Sequence, residues 1–140
     1  MNWTIESHHD PDFVRINTAG TANVIDCERM VNDILSQDFW RTGAPLLINC
    51  LELDVRDIRY DDVDQSGMIF RSRRLDFGSC RMAIIALPGL NYGVSRQFKS
   101  VTEGRTSINI QIFLDESAAI EWLSQALDSI PPHAADTLPF

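Results

Sequence analysis

The chain has 140 residues, 44% of them hydrophobic and 23% charged, with a formal net charge of −8 at pH 7. This balance suits one folded domain with a sizeable core. It excludes a membrane-spanning helix, because no run of about 18 apolar residues occurs, and argues against general nucleic-acid binding, which needs cations to neutralise phosphates.

Trp3 and Ile5 alternate with Thr4 and Glu6, the period of two of a first strand. His8-His9-Asp10-Pro11-Asp12 is a turn-forming cluster, and Phe13 to Asn17 follows as a second strand, which makes a hairpin. Ala19-Gly20-Thr21 is expected to break it. Val24, Cys27, Val31, Ile34 and Leu35 fall on one helical stripe and predict a helix ending near Trp40. After Gly43-Ala44-Pro45, the apolar run Leu46 to Leu51 fits a strand buried on both faces. Leu53 to Asp64 is acidic. It lacks the central Gly and closing Glu of a calcium loop, so its carboxylates are read as the start of a helix near Asp61 or Asp62, at the positive end of the dipole. Val63, Ile69 and Phe70 line that helix's buried side, with Arg71, Arg73 and Arg74 in its last turns. Gly67 within it costs about 1 kcal/mol relative to Ala. Asp76 to Ser79 is read as a loop.

Met82 to Leu87 is a second fully apolar run, stopped by Pro88 and Gly89. Leu90, Val94, Phe98 and Val101 share a helical stripe that Gly104 ends. Ile108, Ile110, Ile112 and Leu114 then alternate with Asn109, Gln111 and Phe113, a strand with one wetter face and so near an edge. Asp115 sits at an N-cap position. Ala119, Ile120, Leu123, Ala126 and Leu127 form the apolar face of a last helix, bordered by Trp122. The order is ββα(βα)3: a single α/β domain over residues 1–128, mainly parallel, with an antiparallel first edge strand. Leu46 to Leu51 and Met82 to Leu87 are its central strands. Residues 129–140, with three prolines and little pattern, are expected to form a loosely ordered tail.

No constellation for catalysis stands out. There is no Gly-x-Ser-x-Gly elbow, no phosphate-loop lysine and no dinucleotide fingerprint. Ser95 lies in a helical stripe, and His8, His9 and His133 lie near the ends. His8-His9-Asp10 is read as a solvated turn in preference to a metal site. No catalytic residue, metal or cofactor is assigned, and the chain is not expected to be an enzyme. Cys27, Cys50 and Cys80 lie in apolar segments without paired spacing; buried free thiols in a reducing cytoplasm is the reading, a reactive cysteine the alternative. The opening MNWTIESHHDPD lacks the basic and apolar regions of a secretory signal, which also points to the cytoplasm. Charge is uneven: residues 71 to 105 hold seven of the 12 basic residues and two of the 20 acidic ones. Solvated faces explain most such runs; an anion- or partner-binding patch is the sharper alternative.

Three stretches carry a family resemblance: Leu46 to Leu51 leading into the acidic segment, Met82 to Ala86 followed by Leu90 to Phe98, and Ile112 to Leu123. In layout the chain resembles the SpoIIAA-like superfamily, which includes the STAS domains of anti-sigma-factor antagonists. The last two stretches look more like the uncharacterised STAS/CRAL-TRIO-related bacterial proteins. The antagonists carry an Asp-Ser-Ser-Gly-type motif at a helix start, whose serine is phosphorylated. Asp64-Gln65-Ser66-Gly67 is the nearest match, with Gln65 in place of the first serine and a later position after the strand, so coincidence is preferred and Ser66 is only a phospho-switch candidate. CRAL-TRIO proteins carry lipids, but this chain is too short for the extra helices that enclose the ligand there.

The resemblance implies a non-catalytic regulatory or protein-interaction domain with a protein partner. A homodimer is expected from Trp40, Tyr92 and Trp122 if these stand exposed at element borders. The alternative is a module binding a small anionic or lipid-like molecule around residues 88–96, beyond a strand's carboxyl end. There Gly89 and Gly93 would allow close approach, Tyr92 would form a wall, and Arg96 would meet an anion at the helix start. The structural alternative makes Gly89 a turn residue, Gly93 a packing residue and Arg96 a solvated one.

Overall fold

A computed structural model describes residues 1–128. Two strands, β1 (Asn2–His8) and β2 (Phe13–Thr21), form the hairpin, followed by α1 (Val24–Leu35) and β3 (Leu46–Asp54). Next come α2 (Tyr60–Ser72), a single turn α3 (Arg74–Phe77) and β4 (Arg81–Ile85). The chain continues through α4 (Leu90–Glu103), β5 (Asn109–Phe113) and α5 (Glu116–Asp128). The sheet order is β1-β2-β3-β4-β5, antiparallel between β1 and β2 and parallel elsewhere. The expected fold class and its antiparallel edge are thus observed, with α3 as an addition. The expected tail at 129–140 lies outside the described residues.

Because β2 to β5 follow each other in order, right-handed crossovers place every connecting helix on the same face. The core shows this. Ile16, Leu46, Ile48, Met82, Ile84 and Ile110 turn towards α1, α2 and α4. The alternate residues Leu47, Ala83 and Ile85 turn to the opposite face, where α5 covers β3 to β5 with Ala119 and Leu123. The rest of that face is polar: Asn49 Nδ2 donates to Asn17 Oδ1 and Asn17 Nδ2 to Thr4 Oγ1, each at 3.3 Å, along one cross-strand row.

Several boundaries differ from the sequence reading. Ala19-Gly20-Thr21 does not break β2. These residues pair with Glu52, Leu53 and Asp54 of β3 after a register shift, so pairing overrides weak strand propensity. Helix α1 stops at Leu35, short of Trp40, because Ser36 turns the chain: its hydroxyl donates to Asp33 O at 2.8 Å and Gln37 Nε2 to the same oxygen at 3.1 Å. Trp40 instead packs edge-on against Phe77, 5.4 Å between centroids, and donates from Nε1 to Asp76 O. Asp76 and Phe77 belong to α3 and not to a loop, and Phe77 is fully buried against Phe70 at 5.1 Å. Arg74 is accordingly in α3, not in the last turn of α2.

Gly67 in mid-α2 has a packing cause. A Cβ there would stand 3.0 Å from Val101 Cγ2 and 3.3 Å from Arg105 Nη1, so the missing side chain is what lets α4 approach. On α4 the buried stripe is rotated from the expected one. Asn91, Ser95 and Thr102 are buried, whereas Leu90 is 57% exposed.

Phe77→Ala should cost about 3–5 kcal/mol, as for other large core truncations. Leu75→Ala, in the same turn but 83% exposed, should stay within about 0.5 kcal/mol of the parent. Urea midpoints of the two variants check the assignment of α3 as a core element.

Candidate functional site

Between the sheet and α1, α2 and α4, over the carboxyl-terminal half of β2 to β4, lies a cavity of about 130 Å³. Its floor is Thr18, Ile48, Cys50 and Ile84. Its walls are Cys27 and Met30 of α1, Val63, Ser66 and Phe70 of α2, and Val94, Ser95 and Phe98 of α4. The segment leaving β3 supplies Leu53, Val55 and Ile58 at the rim. The strands diverge here. The β3–β4 pairing reaches only Asn49↔Ile85, and backbone groups beyond it need other partners.

Asn91, in the first turn of α4, supplies them. Its Nδ2 donates to Cys50 O and to Leu53 O, and its Oδ1 accepts from Leu87 N, all at 3.2 Å. One buried side chain therefore ties β3, the segment after β4 and α4 together at the cavity's edge. Asn23 and Asp62 stand at two helix starts. Asn23 Oδ1 accepts from Asp26 N at 2.8 Å, and Asp62 Oδ2 from Arg59 N at 2.9 Å.

Burial keeps the thiols in their protonated form. Burial pushes Cys27 and Cys50 from 9.0 up to about 11, and Cys80 to about 12. A high pKa disfavours the nucleophilic thiolate, which favours the free-thiol reading over the reactive one. The histidines of the β1–β2 turn stand apart from the cavity lining. His8 stacks on Phe13 at 4.3 Å and its Nδ1 lies 2.8 Å from Pro11 O, while His9 Nδ1 lies 3.2 Å from Asp12 Oδ1. Among the described residues no three His, Cys, Asp or Glu side chains gather as a metal set.

Of the sequence-predicted site residues, Ser66 lines the cavity, whereas Gly89, Tyr92, Gly93 and Arg96 do not. Gly89 precedes the helix at φ +89°, a conformation that favours glycine, so it is a turn residue. A Cβ on Gly89 or Gly93 would meet nothing within 4 Å, so Gly93 is not a packing residue. Gly89, Gly93 and Arg96 are exposed, with Tyr92 half-buried. Ser66 is the seventh of the 13 residues of α2 and not at a helix start, and its hydroxyl donates to Asp62 O at 3.0 Å. It lines the cavity, so the geometry required of a phospho-switch at a helix N-terminus is not met. Trp40 and Trp122 are packed within the fold, Trp122 under the Arg81 guanidinium at 4.9 Å, and Tyr92 is half-buried. These residues do not form the exposed aromatic surface on which the dimer expectation rested.

Sequence reasoning missed Asn91 and Ser95 as lining residues. The signal was present: Asn91, Ser95 and Thr102 recur at helical spacing, each one residue past Leu90, Val94 and Val101 of the apolar stripe, and share Phe98 with it.

Among solved structures, the chain is similar to an uncharacterized protein of the DUF3478 family with a SpoIIAA-like fold from Shewanella loihica PV-4. The match covers 87% of this chain and 92% of that one, with a TM-score of 0.58 and 21% identity. The likeness carries the fold: the chain has the SpoIIAA-like fold that its layout implied. No protein-family model matches the chain, and neither does any curated protein.

Two predictions follow from the geometry. Asn91→Ala leaves two carbonyls and one N–H at the strand ends without their partner and should cost about 2–4 kcal/mol in urea unfolding. The thiols give a pH signature. In the unfolded chain they release protons near the ordinary value of 9.0, whereas in the folded chain they hold them to about 11. Between those values the folded state binds more protons, so stability is present below pH 9 and is lost as pH rises towards 11. Urea titrations across that range should show the fall, and Cys50→Ala should make it shallower.

Proposed function

We propose that the domain is a non-catalytic binding module that takes a small apolar molecule in the cavity between its sheet and α1, α2 and α4. The observation that carries this is the cavity itself. At about 130 Å³ it approaches the roughly 150 Å³ of an apolar cavity that accommodates benzene. Its walls are mainly Ile, Val, Leu, Met and Phe side chains, the usual lining of a small-molecule site. The non-catalytic part is supported by what lines it. Its two thiols are held protonated by burial, and among the described lining residues the one carboxylate, Asp62, accepts from Arg59 N at the start of α2.

The cavity is a better-supported place than the start of α4. Gly89 and Gly93 have no wall around them, whereas the cavity has walls on three helices. A small anion at Gly89, Tyr92, Gly93 and Arg96 therefore stands behind an uncharged ligand in the interior.

A regulatory role with a protein partner is a second reading, favoured by one observation. Leu51, Leu87, Leu90 and Leu114 are exposed at the carboxyl end of β3 to β5, the end towards which the cavity lies. Large apolar side chains gathered at one end suit a partner surface. A partner there would sense whether the cavity is filled, through Asn91 and the first turn of α4.

Titration with toluene, followed by amide NMR, tests the first reading. Shifts should concentrate at residues 50–55 and 91–98, and Val94→Trp, which fills the cavity, should weaken binding at least tenfold. Shifts scattered over the surface, or none, would overturn it.

A further inference from the structure

We infer that the cavity selects an uncharged molecule of about benzene size bearing a single hydrogen-bonding group, and that Ser95 is the residue that engages this group. The inference rests on the binding reading above and adds the ligand's chemical class.

The polar groups of the lining are nearly all engaged within the protein. Thr18 Oγ1 donates to Asn49 O at 2.8 Å, and Asn91 uses both ends of its amide on the backbone. Ser66 does what a serine in mid-helix commonly does and returns its proton to the carbonyl four residues back. Ser95 does not. It is 8% exposed, it lines the cavity, and its hydroxyl has no hydrogen-bond partner among the described residues. Among the described residues the fully enclosed hydroxyl without a partner is Thr102 Oγ1, which is not part of the lining. The Ser95 hydroxyl is unpaired and open to the cavity, so a ligand group there can meet it. A ligand carbonyl would accept its proton, and a ligand hydroxyl would either donate to it or accept from it.

The charge of the ligand follows from the same lining. Among the described residues no Lys, Arg or His side chain faces the cavity, and the Met1 ammonium is held by Asp26 Oδ2 at 3.0 Å. The one lining carboxylate is Asp62, at the start of α2. An anion would find no counter-charge and would meet that carboxylate. A cation would have to leave water for walls that are chiefly hydrocarbon and thiol. A neutral ring or short chain with one carbonyl or hydroxyl fits the volume, the walls and the single free hydroxyl together.

Cyclohexanone and methylenecyclohexane have nearly the same shape and differ in whether the exocyclic group accepts a hydrogen bond. Cyclohexanecarboxylate adds the charge. Each would be titrated into the full chain and into Ser95→Ala, with Kd values read from amide shifts. The ratio of cyclohexanone to methylenecyclohexane affinity should fall roughly three- to tenfold in Ser95→Ala, while methylenecyclohexane keeps or gains affinity. Ser95→Cys, a weaker hydrogen-bonding isostere, should fall between and serves if the alanine variant does not fold. An unchanged ratio with both ligands bound would overturn the role of Ser95 and leave the binding reading intact. Tighter binding of the carboxylate than of the ketone would overturn the uncharged class. Failure of all three to bind the parent chain would overturn the binding reading and this inference with it.

Discussion

The three hydrogen bonds of the Asn91 side chain are the constraint on which the cavity end of this molecule depends. Where β3 and β4 part, the carbonyls of Cys50 and Leu53 and the N–H of Leu87 have no strand opposite them. A buried backbone group without a partner is disfavoured enough to decide local structure. Asn91 meets all three from one position, and can do so only if the first turn of α4 sits against the strand ends. This fixes the rotation of α4 about its own axis. Asn91 points inward, and Ser95, Phe98 and Thr102 come inward with it. Leu90 is left outside although it is more hydrophobic, because burying one leucine gains less than satisfying three backbone groups.

Strand order explains why the cavity lies between layers. In doubly wound sheets the crevice opens where the order reverses. Here β2 to β5 run in sequence without reversal, so no such switch point exists and the crossover helices share one face. Three helices over four parallel strands must then close the layer above diverging strand ends. The space left over is the cavity, roofed by α1, α2 and α4 and floored by β2 to β4. Among the described residues the opposite face has α5, which is not a crossover and packs chiefly over β3 to β5. The part that α5 does not reach carries the row Thr4, Asn17 and Asn49 in place of apolar side chains. In α2, Gly67 serves the crowded face, since a side chain there would press on Val101 and hold α4 away.

Much of the fold was legible because its signals are local. Leu46 to Leu51 and Met82 to Leu87 are largely apolar, and β3 and β4 are indeed central strands with a partner on each edge. Asn49, however, joins a polar row, Leu51 and Leu87 are exposed, and β4 ends at Ile85. The alternation in Ile108 to Leu114 marks β5 as an edge. What sequence could not supply were decisions taken by tertiary partners. The end of β2 at Thr21 depends on pairing with Asp54, thirty-odd residues away. Phe77 looked like loop because its neighbours are Asp76 and Gly78, and only Trp40 and Phe70 make it core. The cavity was invisible for a related reason. Its lining comes from three strands and three helices, and its most informative residue, Ser95, is defined by a hydrogen bond it does not make. No spacing rule reports that.

The uneven charge reads differently once its partners are known. Arg73 pairs with Asp76 at 3.0 Å and Arg105 with Asp64 at 2.6 Å, while Arg81 lies over Trp122 and donates to its carbonyl. Lys99, the only lysine, has a structural task. Asn109 N bonds back to Cys80 O, so Ile110, next in the alternation, turns its N–H and C=O to the open edge of the sheet. Glu103 Oε2 accepts that N–H at 2.8 Å, and Lys99 Nζ donates to that carbonyl at 2.7 Å while bridging to Glu103 at 3.0 Å. An unpaired edge invites a foreign strand, and charged side chains laid across it are a common defence. Five of the seven basic residues in this stretch therefore have partners within the fold, Arg74 by donating to Arg71 O at 3.0 Å, so the raw count overstates the free positive charge there. The interior carries two unpaired hydroxyls among the described residues, Thr102 Oγ1 away from the cavity lining and Ser95 Oγ within it.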